Sequence, residues 1–77
     1  MTNVIFTNRA LSKMTSQGLS EGQVLNAYNK GVVEKWSNGA GYNSIKKYNG
    51  YEIGVAYCQD SKGVYRITSV WMRKNRR

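Results

Sequence analysis

No histidine occurs among these 77 residues, so acid–base or anion chemistry must come from lysine, arginine, tyrosine and carboxylate. Two stretches gather such groups. Lys46-Lys47-Tyr48 stands directly before Asn49-Gly50, and Arg66-Ile67-Thr68 lies in the last apolar run. Lys47 and Arg66 could hold a developing negative charge, with Thr68 as an orienting hydroxyl. Lys46 or Tyr48 could move a proton if neighbouring cations or desolvation lowered its pKa. Glu34 and Glu52 are possible bases, but Glu52 falls opposite Lys47, where a cross-strand salt bridge is expected. Arg9 and Lys13, four residues apart, form a basic ridge that offers secondary anion contacts.

The positions of these groups depend on a hairpin. Asn-Gly between two β-type runs predicts a two-residue type I′ turn, Tyr48-Asn49-Gly50-Tyr51. That turn pairs Tyr48 with Tyr51, Lys47 with Glu52, Lys46 with Ile53, Ile45 with Gly54 and Tyr42 with Tyr57. A five-residue loop after Cys58 would pair Cys58 with Val64, Tyr57 with Tyr65, Ala56 with Arg66 and Val55 with Ile67. Alternation then assigns two surfaces. Tyr42, Tyr48, Tyr51, Ile53, Val55, Tyr57, Tyr65, Ile67 and Trp71 face the core. Asn43, Ile45, Lys47, Gly54, Ala56, Arg66, Thr68, Val70 and Met72 face solvent, as a glycine- and alanine-floored trough flanked by cations.

Upstream, the period is helical. Val4-Ile5-Phe6 is either a short edge strand or a staple onto the first helix. Thr7 or Asn8 caps that helix, Ala10, Leu11 and Met14 form its apolar stripe, and Gly18 ends it. Ser20 and Gln23 form a capping box, with Leu19 and Val24 placed as a hydrophobic staple. Val24, Leu25 and Tyr28 run down to Gly31, read as a C′ glycine. Strands follow over 32–36, 42–48, 51–58 and 64–72, with a basic tail from Arg73 to Arg77. The fold class expected is α+β, an N-terminal helical pair packed on a four-stranded antiparallel meander, in one domain spanning residues 1–77.

Twelve Lys and Arg against four Asp and Glu give a net charge of +8. Such a chain favours an anionic partner, and basic residues interleaved with aromatic ones favour nucleic acid. The lone cysteine, Cys58, has no internal disulfide partner and reads as a half-buried strand residue. With no histidine, neither a zinc site nor any other metal or cofactor is expected. No stretch suits a membrane span or a secretion signal, so a cytoplasmic protein, monomeric when free, is expected.

Thr7-x-Arg9-Ala10-x-x-Lys13-Met14-x-x-Gln17-Gly18-Leu19-Ser20 is similar to the opening of a family of small domains related to RelE- and BrnT-type toxins. That opening usually reads Thr-x-His-Ala-x-x-Arg-Met-x-x-Arg-Gly-Ile-Ser. Gly50-Tyr51-Glu52-Ile53-Gly54-Val55-Ala56-Tyr57 and Arg66-Ile67-Thr68-Ser69-Val70-Trp71 resemble the same family's last two strands. The resemblance implies the RelE-like fold shared by barnase-, EndoU-, colicin- and RelE-type ribonucleases. It also implies ribonuclease toxicity and an acidic antitoxin or immunity protein as partner. Arg9, Lys13 and Gln17 replace the family's histidine and two arginines.

These readings lead to a metal-independent ribonuclease toxin cleaving tRNA or mRNA by 2′-OH attack. Its catalytic candidates are Lys47, Arg66, Thr68, Lys46 and Tyr48, and its RNA-binding candidates are Arg9, Lys13, Asn43 and Arg73. The alternative is a non-catalytic nucleic-acid-binding or interaction module on the same fold; a protein-binding regulator comes third.

Overall fold

The computed structural model describes residues 4–74. Strand β1 (Val4–Phe6) leads into helices α1 (Asn8–Gln17) and α2 (Glu21–Lys30). Strands β2 (Val32–Lys35), β3 (Tyr42–Tyr48), β4 (Tyr51–Gln59) and β5 (Tyr65–Lys74) follow. The fold is α+β, but its sheet has five strands in the order β1-β5-β4-β3-β2. The expected four-stranded antiparallel meander is therefore corrected: Val4, Ile5 and Phe6 pair in parallel with Tyr65, Arg66 and Ile67. Thr7 secures this extra strand, because its backbone N–H and its hydroxyl both donate to the Ile67 carbonyl, at 3.2 and 2.7 Å.

The helix boundaries follow local chemistry. Thr7 is the N-cap of α1, its hydroxyl accepting from the Ala10 N–H. Gly18 closes the helix at φ +71, with Leu19 N–H donating to Met14 O and Gly18 N–H to Thr15 O, the two bonds of a Schellman end. The Ser20/Gln23 capping box forms with both reciprocal bonds, and an N-cap of this kind contributes about 1 kcal/mol. Gly31 is different from expectation. Its φ is −76, and its need for glycine is spatial, since a Cβ would come within 2.6 Å of Ala27 O and of Ser44 Oγ. The buried Ser44 hydroxyl donates to Ala27 O at 2.7 Å, so the end of α2 is drawn directly onto β3.

Both helices cover one side of the sheet. Ala10, Met14, Leu19, Val24 and Ala27 pack with Ile53, Val55, Tyr57, Ile67 and Val70 in one core. The β3–β4 register is as the hairpin predicts, from Tyr48 opposite Tyr51 to Tyr42 opposite Tyr57. The turn itself is corrected. Asn49 keeps a negative φ and only Gly50 is positive, at +95, the sign pattern of type II rather than type I′.

The β4–β5 register is also corrected. Gln59 pairs with Tyr65, Cys58 with Arg66 and Tyr57 with Ile67, after which a bulge between Ala56 and Tyr57 sets Ala56 opposite Ser69 and Val55 opposite Val70. A bulge inserts one residue and so reverses the faces beyond it. Val70 accordingly enters the core, and Met72 packs against it. Trp71, expected in the core, lies on the opposite side above Gly54.

Candidate functional site

The trough that the sequence suggested does not form. Gly54 is buried because the Trp71 indole occupies the space above it, in contact with where a Cβ would be. Thr68 is the extra residue of the bulge, and its hydroxyl donates to Ala56 O at 3.3 Å instead of facing a ligand. Lys47 and Arg66 share the open face of the sheet but pair opposite Glu52 and Cys58. Those positions lie six residues apart along β4, about 20 Å at the usual strand rise. One phosphate cannot bridge them.

The open-face arginines are also engaged. Arg66 Nε lies 3.2 Å from Asp60 Oδ2, and Arg73 Nη1 lies 4.0 Å from Glu52 Oε2. Asp60 is held below the usual carboxylate range, first by the Val64 N–H and then by the Lys62 N–H and the Arg66 guanidinium. Asn43 is on this face too, its Oδ1 accepting from Trp36 Nε1 at 2.8 Å. Arg9 and Lys13 are exposed on α1, which packs on β5. Two strand spacings, about 10 Å, separate β5 from β3.

What the fold does assemble is a cationic corner at the free part of β3. Strand β2 pairs with β3 only from Tyr42 to Ile45, so Lys46, Lys47 and Tyr48 have no strand on their outer side. Lys46 belongs to the helix-side register and Lys47 to the open side. At a free edge the two side chains can wrap round one strand from opposite faces. The last residue of α2, Lys30, completes the group, because the Gly31 contact brings that helix end against Ser44 and Ile45.

A hollow of about 580 Å³ results, lined by Lys30, Val32, Glu34, Ile45, Lys46, Lys47 and Glu52. Among the described residues the ion pairs involve Arg66 and Arg73, so the three lysines of the hollow have no carboxylate within 4.0 Å. Tyr48 is held in place at this corner. Its hydroxyl accepts from Asn26 Nδ2 at 3.0 Å, its ring stacks on Tyr51 at 4.8 Å, and Lys46 Nζ sits 4.9 Å from the ring centre.

Of the five catalytic candidates, the structure thus brings Lys46, Lys47 and Tyr48 together and leaves Arg66 and Thr68 elsewhere. Glu34 and Glu52, named as possible bases, line the hollow. Lys30 was missed in the sequence, where its signal was the adjacent Gly31, a glycine needed for close approach. A tyrosine cluster of Tyr28, Tyr42, Tyr57 and Tyr65 stands at the other end of the helix side, with ring centres 4.8–5.7 Å apart from Tyr57. Burial, then the neighbouring phenols, push Tyr28 and Tyr57 upward from the usual value. Those two are neutral phenols at physiological pH and cannot serve as bases there.

No described helix is long and apolar enough to cross a membrane. Comparison with protein-family models, with curated proteins and with solved structures returns no match.

Proposed function

We propose that the protein binds RNA, seating a backbone phosphate in the hollow of Lys30, Lys46 and Lys47. The observation that carries this reading is the convergence of three lysines, none paired to a carboxylate, on one concave edge of a chain with net charge +8. Phosphate contacts of this kind supply most of the affinity for nucleic acid. The Tyr48–Tyr51 stack beside them gives a flat aromatic end on which a base can continue the stack. The resemblance of Thr7–Ser20 and of the last two strands to RelE-like toxins supports RNA, tRNA or mRNA, as the polyanion. It also supports a cytoplasmic setting and an acidic antitoxin or immunity protein as inhibitor.

Cleavage is a second reading, favoured by one specific arrangement: Glu34 and Glu52 line the same hollow as the lysines. In that reading a carboxylate takes the 2′-OH proton, the 2′ oxygen attacks phosphorus, and a lysine stabilises the phosphorane. The 5′ oxygen leaves with a proton from a second lysine, giving a 2′,3′-cyclic phosphate. Such a stabilising donor contributes about 2.7–4 kcal/mol by analogy with oxyanion holes.

Incubation of purified protein with a mixed tRNA and mRNA pool distinguishes the two. Binding with intact RNA supports the first reading. Cyclic-phosphate ends that disappear in Glu34→Gln or Glu52→Gln support the second. RNA left both unbound and intact at low salt rejects both.

A further inference from the structure

The outer edge of β2 is open. Val32 and Val33 are 72% and 53% exposed, the most exposed large apolar side chains among the described residues. All four residues of β2 are exposed, and their pairing with β3 is continuous, with no bulge to twist the edge away. The chain contains no proline to blunt it. Such an edge is guarded only by its shortness and by the charges of Glu34 and Lys35, and its open backbone remains a template for a further strand.

The ladder shows which backbone groups are free. The Trp36 N–H donates to Gly41 O at 2.8 Å, continuing the β2–β3 register by one pair. Antiparallel ladders alternate inward-bonded and outward-facing residues. Glu34 and Val32 therefore bond inward like Trp36, while Val33 and Lys35 direct their N–H and C=O groups outward. Two donors and two acceptors at strand spacing match another polypeptide backbone, and no phosphodiester chain offers that alternation.

Charge selects the occupant. Lys30, Lys35, Lys46 and Lys47 flank this edge, against Glu34 and Glu52. A second copy of the chain would set the same cations against one another, on top of a net charge of +8 on each partner. We infer that β2 is a docking strand for an acidic extended segment of another protein. Such a segment adds to the sheet beside β2 and directs carboxylates at Lys30, Lys35 and Lys46. This inference rests on the open edge and its charge, independently of the RNA reading, and survives if RNA does not bind.

The test is an amide NMR titration with a short synthetic peptide alternating glutamate with valine, run against the same peptide with lysine in place of glutamate. The glutamate peptide is expected to bind saturably and to protect the Val33 and Lys35 amides from hydrogen exchange. Val33→Pro removes that outward N–H while leaving the inward ladder bonds of Val32 and Glu34 their donors, so it should weaken binding about tenfold, while Val33→Thr retains it. A glutamate peptide N-methylated at alternate residues probes the same bonds with the protein unaltered, and is expected not to bind. Three results each overturn the inference: equal binding of the lysine or N-methylated peptide, protection confined to other strands, or a wild-type dimer that Val33→Pro dissociates.

Discussion

The indole of Trp71 lies directly over Gly54, in the space where any larger residue would place its Cβ. The bulge between Ala56 and Tyr57 produces this relationship by turning Trp71 out of the core and Val70 into it. Gly54→Ala should therefore destabilise the fold by about 1–3 kcal/mol, the usual cost of overpacking. Urea unfolding followed by tryptophan fluorescence measures it. A change near zero would mean that the indole moves aside freely.

Gly31 makes a related but separable demand. Its φ of −76 suits any residue, so only the proximity of Ala27 O and Ser44 Oγ, each 2.6 Å from a Cβ, excludes side chains. Gly31→Ala should cost about 1–3 kcal/mol and displace the end of α2 that carries Lys30. Ser44→Ala should cost about 1 kcal/mol, because Ala27 O keeps its bond from the Gly31 N–H. Denaturant midpoints of the two variants, compared with wild type, check this order.

Asp60 ties the β4–β5 loop together through the Val64 and Lys62 N–H groups and Arg66. Its pKa is lowered in the fold, so its contribution is present above the ordinary carboxylate value and is lost as pH falls through the depressed one. Thermal midpoints measured from neutral pH to below about pH 4 should fall in wild type. They should fall less steeply in Asp60→Asn, which has no charge there to lose.

Tyr28 and Tyr57 carry the opposite sign. Burial raises both, so the stability they provide is complete below the unfolded phenol value and declines as pH rises through the folded one. Ultraviolet titration should show two phenols ionising late, above about pH 10. In Tyr57→Phe one of the late phenols should disappear.

Legibility of the fold from sequence varied with how local its determinants are. The caps at Thr7 and Ser20 and the β3–β4 register are set by neighbouring residues, and all were readable. Even there the Asn49-Gly50 turn adopted type II signs, which leave the same register. The β4–β5 pairing depends on Asp60 closing a loop over 60–64 and on a bulge at Ala56/Tyr57. Asp60 and Gly63 mark a turn without fixing which pair closes it, the bulge has no composition signal, and together they displaced Arg66 and Thr68 from the expected site. The parallel pairing of β1 is a long-range contact spanning nearly the whole chain, and three apolar residues do not announce it. Lys46 and Lys47 were recognisable as a cationic pair, whereas Lys30 joins them only through the packing at Gly31. Arg73 was read as part of a basic tail but lies in β5, and residues 75–77 of that tail lie outside the described residues.

The most direct test of the phosphate-binding hollow is the salt dependence of single-stranded RNA binding, in wild type and in a Lys30→Ala, Lys46→Ala, Lys47→Ala triple variant. Each phosphate contact contributes about 0.7 to the slope of log affinity against log salt. Loss of all three lysines empties the one phosphate seat and should flatten that slope by about 0.7, with the urea midpoint little changed. An unchanged slope in the variant would contradict the assignment and place the RNA contacts, if any, on another surface.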